Sequence, residues 1–270
     1  MASIHLIFKE DSEISSFLFL FGGIIVSGSD VMSLKDWIQE SNNIVFFGGA
    51  GVSTESNIPD FRSDNGLYKK KYPYPAEIML SHSFYLSHPK EFFDFYFNQM
   101  IYPDAQPNKA HYALSKLEKM GKLKGIDGLH QMAGSKKVYE LHGSVLRNTC
   151  THCQTKYSLE DMMKLRDNEG IPRCSKCGAI IKPDVVLYEE GLDEYTLYSA
   201  IHAIEQADLL IVGGTSLVVY PAAGLINYFH GKHLVLINKD STNMDSKADL
   251  VIHDSIGKVL DDSLCEVYVK

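Results

Sequence analysis

Four apolar residues at 44–47, Ile-Val-Phe-Phe, run directly into Gly48-Gly49-Ala50-Gly51-Val52-Ser53-Thr54. A short unbroken apolar run bounded by glycines suits a strand covered on both faces, because neither set of alternating side chains is left for water. The glycines then turn the chain at the carboxyl end of that strand and let backbone approach a ligand closely. This is how a nucleotide-binding strand-turn-helix unit begins. The pattern returns at "LLIVGGTS", residues 209–216, and at "LVLIN", residues 234–238.

Helical spacing fills the intervals. Ser33 is placed to cap a helix beginning near Met32 and carrying Leu34, Trp37 and Ile38 on one face. Asn108 precedes Ala110, Ala113, Leu114, Leu117 and Met120, with Gly121 as a stop, and Asp193 precedes Leu197, Ile201 and Ile204. Buried strands alternating with amphipathic helices predict an α/β protein with a Rossmann-like, mainly parallel sheet. Ligands of such sheets bind beyond the carboxyl ends of the strands, so Gly48–Thr54, Gly213–Ser216 and Asn238 are expected to converge on one crevice.

Two stretches interrupt the alternation. Residues 68–105 are rich in Tyr, Phe, Pro and His without a strand pattern, and 147–182 hold two cysteine pairs. We expect them to pack together as a smaller helical and zinc-ribbon domain inserted into a nucleotide-binding domain formed by 32–67, 106–146 and 183–270. Residues 1–31 are expected to form a poorly integrated extension. Their apolar run at 17–26 has ten residues, too short for the roughly 20 that a helix needs to cross a bilayer. Glu10, Asp11 and Glu13 precede that run, where a secretory signal carries positive charge. No membrane span is expected.

Charge narrows the partners further. With 26 basic and 34 acidic residues the chain carries a net charge of −8, which disfavours a broad grip on phosphates and sequence-specific nucleic-acid binding. Of five cysteines, Cys150 and Cys153 are separated by two residues, as are Cys174 and Cys177, with a spacer of 20 residues between the pairs. That spacing fits a structural Zn²⁺ held by four thiolates in a reducing, cytoplasmic setting, whereas Cys265 reads as a buried small hydrophobe. His152, inside the first pair, reads as a solvated neighbour.

The glycine turn alone is weak evidence, since Thr54 stands where a third dinucleotide-binding glycine is usual. Directly after it, however, Pro59-Asp60-Phe61-Arg62-Ser63 crowds a carboxylate, an aromatic face and a guanidinium into one loop. "GAGVSTESNIPDFRS", "IDGLHQMAGS", "ELHGS", the two cysteine pairs, "KPDVVLYEE", "GGTSLVVYPA" and "LIN" follow one another in the order found in sirtuins, and over residues 32–270 the chain resembles that family of NAD-dependent protein deacylases.

The resemblance implies a role for each matching position. Ala50, Thr54, Phe61 and Arg62 are expected to line an NAD site with Phe61 beside the nicotinamide. Ile126 and Asp127 are expected at its nicotinamide end, Thr215 and Ser216 at phosphate and ribose, Asn238 at the adenosine ribose and the Ile256 backbone at adenine. His142 is the implied catalytic base, ahead of His130, and Val185, Val186, Leu187 and Tyr188 the strand that pairs with substrate. The implied reaction is deacetylation of acetylated-lysine proteins, giving nicotinamide, O-acetyl-ADP-ribose and free lysine. Acetyl is favoured over acidic acyl groups, because no Tyr-x-x-Arg pair follows "DFRS".

One junction departs from the pattern. Sirtuins place an apolar strand and Thr-Gln-Asn before Ile-Asp-Gly-Leu-His, whereas here "LEKMGKLKG" runs straight into Ile126. A deletion in the sheet, with one strand missing, is therefore expected. It leaves two other readings open: a catalytically impaired module that binds NAD and zinc, and a protein ADP-ribosyltransferase using the same NAD cleavage.

Overall fold

The structure, a computed structural model, describes residues 28–126, 132–135 and 138–264. Most of the expected N-terminal extension, Asp127, His130 and Cys265 lie outside them.

The three apolar runs form the middle of a parallel sheet. β1 (Ile44–Gly48), β6 (Leu209–Gly213) and β7 (His233–Ile237) lie side by side, and with β2 (Leu123–Ile126) and β8 (Leu250–Ile252) they give the order β2-β1-β6-β7-β8. Alternation of side chains divides each buried strand between two cores. Ile44, Phe46, Leu209 and Ile211 join Leu34, Ile38, Leu114, Leu117, Val259 and Leu260, which come from α1 (Gly28–Glu40), α5 (Lys109–Lys119) and α8 (Ile256–Leu264). Val45, Phe47, Leu210 and Val212 meet Ala200 and Ile204 of α7 (Glu194–Glu205) and Leu225 and Ile226 of the 3-10 helix Ala222–Tyr228. The result is the predicted α/β architecture, with the sheet between two helical layers.

The register aligns the carboxyl ends. Gly48 pairs with Gly213 and Gly213 with Ile237, so all three strands stop in one row. Chain order reverses across β1, with β2 on one side and β6 on the other. That is the switch point at which parallel sheets open a crevice.

Two caps follow the sequence. Asn108 accepts from the Ala110 amide at 2.9 Å while the Asn108 amide donates to His111 Nδ1 at 3.1 Å, a capping box with histidine at its third position. The Asp193 carboxylate accepts from the Thr196 amide at 2.8 Å. Ser33 is not a cap: α1 begins at Gly28, so it takes in residues 28–31, and the Ser33 hydroxyl donates to the Ser29 carbonyl at 3.0 Å inside the helix.

The expected missing strand is present. Gly121 adopts a left-handed φ of 76°, and Lys122 then leads into β2, which pairs with β1 from Ile44↔Leu123 to Phe47↔Ile126. Lys122 also fixes the geometry, since its ammonium donates to the carbonyls of Ile38, Gln39 and Ser41 at 3.0, 2.7 and 2.9 Å. A lysine taking the last carbonyls of α1 satisfies groups that the helix leaves open. Lys-Gly has little strand preference of its own, so pairing with β1 makes this strand.

A third core unites the two interrupting stretches. α2 (Ala76–Met79), α3 (His82–Ser87) and α4 (Pro89–Gln99) bring Phe84, Tyr85, Phe92, Phe93 and Tyr96 against Met162, Ile171 and Ile181. The last three belong to a module with α6 (Leu159–Lys164) and an antiparallel sheet β4-β3-β5, made of β4 (Lys156–Ser158), β3 (Gly143–Cys150) and β5 (Ile181–Val185). β3 and β5 also point back toward the parallel sheet, so their inner ends reach the crevice. Among the described residues no helix is long and apolar enough to cross a membrane.

Candidate functional site

The glycine loops behind β1 and β6 pack on each other. The Gly49 amide donates to the Gly213 carbonyl at 3.0 Å and the Gly51 amide to the Gly214 carbonyl at 2.8 Å. A Cβ on Gly49 would lie 2.6 Å from the Gly214 oxygen, and one on Gly214, whose φ is +62°, would lie 2.4 Å from the Val52 nitrogen. These glycines therefore serve contact between loops first. Gly49, Gly51 and Gly214 nevertheless line the cavity, so the packed loops present their backbone to it.

A cavity of about 680 Å³ opens beyond them, at the carboxyl ends of β1 and β6. That volume lies within the usual range of a small-molecule site. Most of the predicted cofactor residues come together in its walls: Ala50, Phe61, Arg62, Thr215, Ser216 and Asn238. His142 and the segment Val185–Tyr188 form the facing wall.

Thr54 and Ile256 stand apart from the lining, and of Ile126 the structure gives the backbone pairing alone. The Thr54 hydroxyl donates to the Gly51 carbonyl at 2.8 Å, so it holds the turn. Ile126 ends β2 opposite Phe47. Ile256 is buried, and a Cβ on Gly213 would come within 2.1 Å of its Cδ1. Its side chain props up the glycine loop, which leaves only its backbone to a ligand. Glu55, which had no signal in the sequence, accepts from the Ser255 hydroxyl at 2.7 Å and the Gly257 amide at 3.0 Å, tying the first glycine turn to the start of α8.

His142 sits where β3 starts. The Val186 amide donates to its carbonyl at 3.0 Å, and Gly143 pairs with Val185. Gly143 has a φ of +76°, and a Cβ there would fall 1.9 Å from the Asp184 carbonyl oxygen, so only glycine lets β5 approach this closely. The residue is exposed and lines the cavity, while nearby protein partly desolvates its imidazole. That desolvation lowers its pKa below the ordinary histidine value, which favours the neutral ring. Among the described residues its ring has no hydrogen-bond partner.

The segment after β5 is held to the helical module. The Tyr188 amide donates to the Leu80 carbonyl at 3.0 Å, and the His82 amide donates to the Tyr188 carbonyl at 3.0 Å. Both backbone groups of Tyr188 are used internally, so this residue meets a ligand with its ring. Glu190 steadies the turn by accepting from the Leu187 amide at 2.9 Å and from Lys182 at 3.1 Å. Glu189 has a left-handed φ of 76° and its carboxylate takes the Ser83 amide and hydroxyl at 2.8 and 2.9 Å.

The four paired cysteines form a second constellation. Their sulfurs all lie within 4.8 Å of one another, with Cys150 to Cys177 and Cys153 to Cys174 both at 3.5 Å. Tetrahedral Zn²⁺ with bonds of about 2.3 Å needs sulfurs about 3.8 Å apart, so the arrangement fits the ion. Donors surround it: the Cys153 amide points to Cys150 at 3.4 Å, and the Tyr157 hydroxyl lies 3.1 Å from the Cys174 sulfur. The Tyr157 contact pulls the Cys174 thiol down to about 5, which favours the thiolate that a metal needs. Four protein ligands leave no open position, so the ion's role is structural. His152 is exposed and does not belong to the group.

Comparison with known proteins agrees with this geometry. A sequence model described as the Sir2 family matches residues 49–221. A protein of Clostridium acetobutylicum named NAD-dependent protein deacetylase is 61% identical over 238 residues, covering 86% of this chain and 96% of its own length. One of Clostridium perfringens with the same name is 63% identical over 238 residues, covering 85% and 96%. Among solved structures, one described as Sir2 with a p53 peptide and NAD+ gives a TM-score of 0.76 at 39% identity and covers 87% of this chain and 97% of its own. Another, Sir2 bound to acetylated peptide, gives 0.77 at 36% identity and covers 89% and 99%.

Proposed function

Because this chain belongs to the Sir2 family, we propose that it is an NAD-dependent protein-lysine deacetylase that consumes NAD and one water and releases nicotinamide, O-acetyl-ADP-ribose and free lysine. The observation that carries the reading is one cavity with Ala50, Phe61, Arg62, Thr215, Ser216 and Asn238 on one side and His142 with the 185–188 segment on the other. Bound NAD supplies a glycosidic bond from which nicotinamide departs and a ribose that takes the acyl group.

The chain's own residues prepare that exchange. The packed glycine loops present Ala50, Thr215 and Ser216 to the phosphates and ribose, while Asn238, backbone-bonded to Ile252 at 3.1 Å and to His253 Nδ1 at 3.0 Å, is fixed at the adenosine ribose. Phe61 and Arg62 close the nicotinamide end. Ile126, last in β2, and Asp127, next in the chain, belong at that end too; Thr54 holds the turn and the Ile256 backbone borders the adenine. His142 is the catalytic residue: its neutral imidazole takes a proton from the ribose hydroxyl that receives the acyl group. The lowered pKa favours the neutral ring and shifts the acid limb of the rate profile to lower pH than an ordinary histidine would give.

The nucleotide domain comprises 32–67, 106–146 and 183–270 together with residues 28–31 at the start of α1, and the inserted domain 68–105 and 147–182, with the residues before 28 as an extension. Cys150, Cys153, Cys174 and Cys177 hold one zinc ion that fixes the inserted domain. The partners are cytoplasmic proteins carrying acetyl-lysine, which lies along Val185, Val186, Leu187 and Tyr188. Nucleic acid is not a sequence-specific partner.

The test is an acetyl-lysine peptide incubated with NAD and the zinc-loaded chain, following nicotinamide and free lysine together. Equal release of the two is expected, and His142→Ala should lower it by about 10²–10⁴-fold with zinc content unchanged. Nicotinamide release without deacetylation would replace the reading by ADP-ribosyl transfer. Stabilisation by NAD with no turnover would make the chain a binding module.

A further inference from the structure

Two tyrosines meet across the cavity from the walls assigned to cofactor and to substrate. Tyr68 lies in the 3-10 turn Leu67–Lys69, which is clipped to the preceding loop: the Leu67 amide donates to the Asp60 carbonyl at 2.8 Å and the Tyr68 amide to the Phe61 carbonyl at 2.9 Å. The Arg62 guanidinium carbon stands 5.2 Å from the centroid of the Tyr68 ring, within cation-π range, and the Phe61 ring is 5.4 Å away at 50°. Tyr68 is thus a common support for Phe61 and Arg62.

Tyr188 belongs to the opposite wall. Its backbone is fixed in both directions by Leu80 and His82, so its ring is aimed by the fold, while 37% of the residue remains exposed. The two phenol oxygens are 2.5 Å apart. Burial raises the Tyr68 pKa far above the usual tyrosine value, so this hydroxyl keeps its proton, and either phenol can donate to the other.

We propose that the Tyr68–Tyr188 hydroxyl contact is a positioning link that makes cofactor binding and acyl-lysine peptide binding interdependent. The proposal rests on the deacetylase reading. A peptide seated on the 185–188 segment restricts the Tyr188 ring. Tyr188 in turn holds Tyr68, and Tyr68 holds Phe61 and Arg62 where the cofactor needs them. Binding energy gained at one wall is then felt at the other, in both directions.

ADP-ribose is a suitable probe because it lacks nicotinamide and does not turn over. Its affinity for the full zinc-loaded chain is measured by calorimetry with and without a saturating acetyl-lysine peptide. A net hydrogen bond is worth about a five-fold factor in an equilibrium constant, and coupling of about that size is expected. Tyr188→Phe and Tyr68→Phe, which keep the rings, should each bring the coupling close to one, and the double variant should lose no more than either single one. Melting temperature and zinc content report folding separately, and a merely structural contact would move those without changing the coupling. Coupling retained in either single variant, losses that add in the double variant, or no coupling in the unaltered chain would overturn the proposal alone. An unaltered chain that binds ADP-ribose or the acetyl-lysine peptide but not both, or neither, would overturn the deacetylase reading and the proposal with it.

Discussion

Lowering the pH from 7.5 to 5.0 should destabilise this protein through His111, and the size of the effect follows from its surroundings. His111 is fully buried at the third position of α5, and its Nδ1 accepts from the Asn108 amide at 3.1 Å. Burial lowers its pKa to about 4, with the nearby Glu55 carboxylate opposing that shift. A histidine with a lowered folded pKa contributes stability that is complete above its unfolded value and is lost as pH falls toward the folded one. At pH 5.0 the unfolded side chain is about 97% protonated and the folded one about 9%, which integrates to a loss of about 2 kcal/mol between pH 7.5 and 5.0.

The loss also bears on the site. Asn108, whose cap His111 completes, donates through Nδ2 to the Val52 carbonyl at 2.8 Å and the Ser56 hydroxyl at 3.1 Å, both in the first glycine turn. Protonating Nδ1 removes the acceptor that holds Asn108 in place. The assay is urea unfolding at both pH values for the parent and for His111→Gln, since glutamine at this position keeps a capping box without titrating. Carboxylates and zinc-binding thiolates titrate in both proteins and cancel in the comparison. His111→Gln should lose about 2 kcal/mol less than the parent over that interval. Equal losses would refute the argument.

Two further perturbations separate the site's supports. Cys174→Ser should release the zinc, measured by elemental analysis, and open residues 147–182 to trypsin, because Cys174 is both a ligand and a buried member of the third core; a zinc-free variant with full protease resistance would contradict the structural role. Gly214→Ala should cost about 1–3 kcal/mol from left-handed strain alone and more from the Cβ pressed on the Val52 nitrogen. Urea unfolding reads that loss, and unaltered stability would refute backbone packing between the glycine loops.

Much of the fold was legible because it rests on burial. Ile44–Phe47, Leu209–Val212 and Leu234–Ile237 are apolar at every position, and each position is buried, which only a strand covered on both faces requires. The helix caps at Asn108 and Asp193 were legible for a local reason, since a short polar side chain satisfies amides two or three residues ahead. Asn57 has a left-handed φ of 61°, a geometry that asparagine tolerates better than most residues. The cysteine spacing carried its own geometry, because two Cys-x-x-Cys turns each deliver two sulfurs to one point.

What escaped the sequence depends on groups far apart in the chain. β2 was read as a deletion because Leu123-Lys124-Gly125-Ile126 has neither an apolar run nor clear alternation. Its strand character comes from the β1 ladder and from Lys122 gripping the end of α1, about 80 residues earlier. The link between Glu55 and Gly257 spans about 200 residues, and that between Tyr68 and Tyr188 about 120. Each joins a residue that any local pattern would leave as solvated to a backbone or hydroxyl that only the finished fold brings near. A strand lacking a pattern of its own keeps its pairing as long as its neighbour offers an edge, as β1 does along Ile44–Phe47. β1, paired with β2 on one side and β6 on the other, holds the glycine turn in place, and the crevice is therefore built even though the segment leading into it is short.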